Sequence, residues 1–285
     1  MSADGRPGSG QTAGRRVDHD VATVDAATVV LVRDHPAGGA VEVLLLERHL
    51  RSDFAGGALV FPGGKVDDRD RALSGERWRG ADLDAWASAM GTDREGALGL
   101  LVAGVRETFE EAGVLLATRG DGTPVSAADL ATDDALTMRR RLAVRGEDHD
   151  WEPWLAERGF VLELGWLALW SWWVTPKGQH RRFDTRFLVA RLPAGQSAGY
   201  DEVETTDLRW TTPAEALEAQ RRGEATVIYP TRRNLAALGA YRDVDSLLRA
   251  ATAGEVDQRR IEPRIVDVEG MAMVQHPDGG PPEPV

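Results

Sequence analysis

No cysteine occurs among the 285 residues, which excludes a disulfide framework, a thiolate nucleophile and any sulfur ligand to a metal. A metal site would have to use oxygen or histidine, and oxygen donors favour magnesium or manganese. Long apolar runs are missing too. The longest, Trp166 to Val174, is too short to span a bilayer, and residues 1–20 lack the apolar core of a signal peptide. The final PEPV matches no retention or peroxisomal signal, so a cytoplasmic protein with no membrane partner is expected. Positive charge is also scarce. With 34 basic against 46 acidic residues the net charge is -12, the wrong sign for attraction to a phosphate backbone, and there is no basic stripe. No nucleic acid partner is expected, and messenger RNA decapping is disfavoured. No repeat recurs at a period of roughly 20–50 residues.

What the chain does have is 42% apolar content, ample for a sizeable core in a globular enzyme. Residues 1–20 and the tail from about His276 are polar and rich in Gly, Pro, Ser and Asp, and both are expected to be disordered. ATVVLVRD and VEVLLLER, split by the turn-prone HPAGGA, read as a strand pair. Further strands are predicted at ALVF before Pro62, LGWLALWSWWV, DTRFLVARL and DLRW. Helices are predicted at 126–145, 213–222 and 231–251, with Thr212 and Pro213 as N-cap and first residue of the middle one. Another is predicted from Asp93 to Ala112, with Gly113 as its C-cap. Mixed strands and helices without a repeat point to one α/β domain with insertions.

Chemistry concentrates at the end of that last helix. Glu107, Glu110 and Glu111 fall at i, i+3 and i+4 and share one face. Three acids there repel one another and oppose the macrodipole, by about 0.3–1 kcal/mol per charge. A bound divalent cation removes that conflict and leaves coordination positions for a diphosphate. The plainer reading pairs Arg106 with Glu110 on a solvated face. Upstream, Phe61-Pro62-Gly63-Gly64-Lys65 holds two glycines that let the backbone approach a ligand closely. Trp166, Trp170, Trp172 and Trp173 lie in one apolar run and read as core rather than as a base-stacking platform. His180, Arg181 and Arg182 either read a phosphate or form an exposed basic loop.

FPGGKV followed by RETFEEAGV resembles the Nudix box: Gly, five residues, Glu, seven residues, then Arg-Glu-aliphatic-x-Glu-Glu-x-Gly-aliphatic. Gly64 is its first residue, and Thr108 stands where an aliphatic residue is usual. Asp70 stands where Glu is expected, and 35 positions, residues 71–105, separate it from Arg106 instead of seven. The resulting insertion, placed at about 71–95, either folds over the site as a short helix or decorates the surface. The interrupted box resembles the coenzyme A and acyl-coenzyme A diphosphatase branch. LLLERHLRSDFAGGALVFPGG partly matches the coenzyme A-associated element of that branch, with Arg48 thirteen residues before Phe61, although Leu46, His49 and Asp53 depart from it.

The resemblance implies an α/β/α sandwich with a mixed sheet over 21–252 and a C-terminal extension over 253–285. It implies that Glu107, Glu110 and Glu111 hold magnesium, or manganese, together with the Gly63 carbonyl. Arg106 would orient the acids, and Glu107 or Glu204 would accept the proton of the attacking water. Glu204 reads equally as an exposed acid. Arg48, Phe61 and Arg182 are the candidate substrate contacts. The implied reaction splits coenzyme A or acyl-coenzyme A into adenosine 3′,5′-bisphosphate and 4′-phosphopantetheine. Alternatives are ADP-ribose, NADH or dinucleoside polyphosphate hydrolysis, and an inactive nucleotide-sensing module. The partner is a small nucleotide diphosphate, and the protein is expected to work as a monomer or homodimer.

Overall fold

A computed structural model describes residues 21–48, 57–144, 150–199 and 205–284. In chain order its elements begin with β1 (Thr23–Asp34), β2 (Val41–Arg48), β3 (Ala58–Val60), β4 (Gly63–Lys65), α1 (Asp68–Arg71), β5 (Trp78–Arg79), α2 (Leu83–Met90) and α3 (Arg94–Ala112). There follow β6 (Ala117–Arg119), α4 (Ala127–Leu130), α5 (Asp133–Leu142), α6 (Trp151–Arg158), β7 (Phe160–Glu163), β8 (Ala168–Val174), β9 (Arg182–Arg191) and β10 (Thr205–Thr211). The chain then forms α7 (Pro213–Arg221), β11 (Thr226–Val227), α8 (Tyr229–Leu238), α9 (Val244–Thr252), β12 (Arg260–Ile261), β13 (Arg264–Val268), β14 (Met271–Gln275) and β15 (Glu283–Pro284).

The main mixed sheet runs β11-β3-β2-β1-β9-β8-β12, with β10 added to β2 and β4 to β1. β1 is long enough to serve two antiparallel neighbours on one side: Val32–Asp34 pair with β2, and Ala26–Thr28 with β4. On its other side it pairs in parallel with β9 along ten residues. Continuous apolar stretches in these strands follow from burial of both faces. One face packs α3 around Val29, Leu31, Leu44 and Leu188, and the other packs α8 and α9 around Val30, Val43, Leu45 and Val189. The α/β/α sandwich is thus observed. Among the described residues no helix is long and apolar enough to cross a membrane.

Two predicted helices are each broken in two. The 126–145 segment divides into α4 and α5 because the Thr132 hydroxyl caps a new start by accepting from Ala135 N. The 231–251 segment divides into α8 and α9, where Asp243 accepts from Ser246 N. The expectation of disorder from about 276 is corrected: β15 pairs with β14, and Arg232 donates to the Pro284 carbonyl at 2.8 Å. Of the four tryptophans, Trp170 and Trp173 are buried core, whereas Trp166 and Trp172 are partly exposed.

The insertion is folded into the body. β5 joins β7 in a second sheet, and α2 packs on α3. The end of α2 is clasped by Arg186 of β9, which donates to the Met90 carbonyl at 2.8 Å and to Asp184 and Asp25 at 2.8 and 3.1 Å. The Arg186 guanidinium also stacks 4.2 Å from the Trp172 ring centroid. Burial lowers the Arg186 pKa, and the two aspartates only partly offset it. Removing one member of a buried charge cluster leaves its partners uncompensated. Arg186→Ala is expected to lower stability by about 3 kcal/mol in urea denaturation; a loss under about 1 kcal/mol would mean that this clasp does not hold the insertion.

Candidate active site

α3 forms because Asp93 caps Gly96 N at 2.8 Å, a long apolar stretch follows, and Gly113 closes it in the left-handed region at φ 67°. The closing turn is of the αL type, with Gly113 N donating to Phe109 O, and Val114 N reaches back to Thr108 O. Thr108 fits inside the buried helix by turning its hydroxyl back onto the Gly104 carbonyl at 2.7 Å. Buried on nearly every side, α3 brings Arg106, Glu107, Glu110 and Glu111 against β4.

Arg106 is the hub, with 3% of its surface exposed. Its Nε and Nη2 donate to the two Asp70 oxygens, both at 2.9 Å, a bidentate fork. Nη1 donates to Glu107 at 2.9 Å and to Glu110 at 3.4 Å, and Nη2 also reaches the Lys65 carbonyl at 2.9 Å. Burial alone would lower the guanidinium pKa. The charges of Glu107, Asp70 and Glu110 and the Asp70 hydrogen bonds outweigh it and hold the value well above the ordinary one.

Asp70, one methylene shorter than the Glu expected there, thus reaches Arg106 with both oxygens. Gly99 of α3 permits it: a Cβ at that position would lie 2.6 Å from Arg71 Cγ and 2.8 Å from Val66 Cγ1. The missing side chain lets the segment bearing Asp70 come close enough for a carboxylate one methylene short of Glu. Asp70 also closes the capping box of α1, accepting from Asp67 N at 2.9 Å.

The paired glycines have a direct role at the acids. Gly63 N donates to Glu111 at 2.8 Å. A Cβ at Gly64 would sit 2.4 Å from Glu107 Oε1, so the Glu107 carboxylate occupies the space that any other residue at 64 would fill. Three acids thus close around a three-residue strand. Each is held by a donor rather than by another acid, and among the described residues no three carboxylates or histidines form a closed metal cage. The donors are all hard oxygens, and four carboxylates lie within 3.7 Å of the single Arg106 guanidinium. That donor set and excess negative charge fit a hard divalent cation.

Phe61 is buried core, edge-on to Phe187 at 6.4 Å. Arg182 is buried and ties β9 to the Val21 and Thr175 carbonyls and to Glu262. His180 and Arg181 are exposed in the β8–β9 connection. The backbone of Arg48 pairs with Thr205, and its side chain lies outside the described residues, as does Glu204.

Two residues that sequence reasoning missed support the site from behind. Arg139 of α5 donates to the Glu110 and Glu111 carbonyls at 2.7 and 2.9 Å. Gln196, buried, joins Leu115 N, Leu115 O and Val125 O. Their contacts span 28 to 81 positions along the chain, beyond any local pattern.

The family described as NUDT19 Nudix domain matches residues 23–238. An acyl-coenzyme A diphosphatase NUDT19 of Xenopus laevis is 27% identical over 237 residues, covering 72% of this chain and 62% of that protein. One of Gallus gallus is 30% identical over 242 residues, covering 72% and 63%. The chain thus spans somewhat under two thirds of the length of these relatives. A crystal structure of a Nudix hydrolase from Alicyclobacillus acidocaldarius superposes with a TM-score of 0.63 at 30% identity, covering 80% of this chain and 96% of that one. With its box acids assembled on Arg106 and its fold shared, this chain belongs to the NUDT19 Nudix domain family of Nudix hydrolases.

Proposed function

We propose that the protein is a metal-dependent diphosphatase that hydrolyses coenzyme A or acyl-coenzyme A to adenosine 3′,5′-bisphosphate and 4′-phosphopantetheine or its acyl form. The observation that carries the reaction class is the clamp of Asp70, Glu107 and Glu110 on Arg106 beside the Gly63–Gly64 backbone. The substrate reading rests on the activity in the names of the relatives. A cytoplasmic setting fits the absence of a membrane-spanning helix among the described residues.

Glu107, Glu110 and Glu111, with the Gly63 carbonyl, are the groups that would hold the cation. Magnesium or manganese, when bound, neutralises phosphate oxygens and acidifies the attacking water. Arg106 spends its nitrogens on protein oxygens, so its role is to orient the acids and not to touch substrate. Glu107 sits where its carboxylate, pressed against Gly64, can take a proton from water approaching β4; Glu204 is the second candidate base. Lys65, exposed, continues the same strand, and its carbonyl accepts from Arg106. The protein's contribution is a fixed arrangement of charge that does not reorganise during reaction.

Product analysis by chromatography tests this, using magnesium with coenzyme A, acetyl-coenzyme A, ADP-ribose, NADH and diadenosine polyphosphates. Release of adenosine 3′,5′-bisphosphate is expected. AMP released from another member would keep the chemistry and replace the substrate, whereas no product with either metal would favour a nucleotide-sensing module. Glu107→Gln is expected to stay folded and lose at least about 10²-fold in turnover; full magnesium-dependent turnover would overturn the assignment. Gly64→Ala is expected to melt within a few degrees of the parent, because the clash falls on the end of a flexible side chain. It should nonetheless weaken manganese binding roughly tenfold by displacing Glu107, and unchanged binding in a titration would show that Glu107 is not a ligand.

A further inference from the structure

The turn carrying Glu110 and Glu111 is the last of α3, where carbonyls ordinarily lack helical partners and the helix frays. Here every one of the final five carbonyls accepts a hydrogen bond. Thr108 O and Phe109 O are taken by Val114 N and Gly113 N, and Ala112 O by Gly199 N at 2.8 Å. Glu110 O and Glu111 O are taken by one side chain, Arg139, through Nε at 2.7 Å and Nη2 at 2.9 Å. The same Nη2 donates to the Gly199 carbonyl, five positions before Glu204 in the sequence. A Cβ at position 113 would stand 2.9 Å from Arg139 Nη1, so Gly113 makes room for this guanidinium as well as closing the helix.

Two arginines therefore grip the box acids in different ways, with Glu110 common to both. Arg106 holds the carboxylates of Glu107 and Glu110, while Arg139 holds the main chain of Glu110 and Glu111. A planar fork spans two successive carbonyls, which a lysine ammonium cannot do with the same rigidity. A cation at this end also complements the macrodipole that three acids oppose. The guanidinium is not what docks α5, whose Ala135, Met138 and Leu142 are buried in the core under α3.

We propose that Arg139 is a positioning residue for the metal-binding turn. By locking the backbone of Glu110 and Glu111 it fixes their carboxylates and so sets the affinity for the divalent cation, without touching ion or substrate. The proposal rests on the metal-dependent reading above and makes a separate claim: affinity depends on a clamp outside the Nudix box.

The test uses Arg139→Met, which keeps the stem and removes every donor, and Arg139→Lys, which keeps the charge without the fork. Manganese alone is titrated by electron paramagnetic resonance, and amide hydrogen exchange is followed along α3. For Arg139→Met the manganese dissociation constant is expected to rise about tenfold, in the range seen for residues that orient ligands. Exchange should speed up at residues 110–114 while the rest of α3 keeps its protection. The magnesium concentration for half-maximal hydrolysis should rise by the same factor, with kcat at saturating metal within about twofold of the parent. Arg139→Lys should fall between the two. Unchanged manganese affinity in Arg139→Met overturns the proposal, and so does a loss of affinity accompanied by uniform loss of protection across the chain. A parent protein that binds no manganese and hydrolyses no diphosphate overturns the metal-dependent reading itself, before any variant is compared; the exchange at 110–114 still reports whether the clamp holds the turn.

Discussion

With 3% of its surface exposed, Arg106 meets Asp67, Asp70, Glu107 and Glu110 within 3.7 Å and adds a hydrogen bond to the Lys65 carbonyl. Those contacts place α1, β4 and α3 relative to one another. A buried guanidinium without partners would be severely destabilising, and so would buried acids without it. Each side of the cluster makes the other tolerable. The cluster is also unbalanced, with more negative than positive charge, and that imbalance is what a divalent cation would match.

The clamp constrains its surroundings in turn. Asp70 reaches Arg106 because Gly99 carries no side chain between α3 and the segment around Val66 and Arg71. Glu107 has its place because Gly64 carries none beside β4. β4 is itself fixed by pairing Gly63, Gly64 and Lys65 with Thr28, Ala27 and Ala26 of β1. The acids are therefore referenced to the main sheet through backbone hydrogen bonds, the least deformable connection available, and not through side chains alone.

What could be read in the sequence was local. The i, i+3, i+4 acids, the helix ending at the Gly113 cap and the strands flanking HPAGGA are patterns of a few residues governed by helical or strand periodicity, and they stand as read. The breaks at Thr132 and Asp243 escaped because a capping side chain inside an otherwise helical run resembles an ordinary surface residue until its hydrogen bond is seen. The burial of Arg182 and Phe61 was not legible because residue type and spacing do not say which way a side chain faces. Arg139 was invisible for a deeper reason: its contacts depend on the loop geometry that returns α5 to the end of α3. The tail beyond His276 looked too polar to fold, yet Glu283 and the Pro284 carbonyl find Arg232 on α8.

The insertion shows how a box can be interrupted without losing its chemistry. The stretch between Asp70 and Arg106 holds β5, α2 and the first twelve residues of α3, since the helix starts at Arg94 and the Arg-Glu pair at Arg106. From Asp93 to Glu107 the helix rises roughly 21 Å at 1.5 Å per residue, so α2 acts on the acids only through a rigid rod. Just before that rod, Arg186 holds the end of α2 through Met90; the rod itself is held in its second half by Asp70 through Arg106 and at its end by Arg139. Two anchors on the helix and one on the element leading into it oppose sliding or rotation against β4. Electrostatic catalysis gains most when the charged groups do not rearrange as the reaction proceeds. Extra chain between Asp70 and Arg106 is therefore tolerated because it lengthens and anchors the helix upstream, leaving the acid-bearing turns to be set by contacts at their own end.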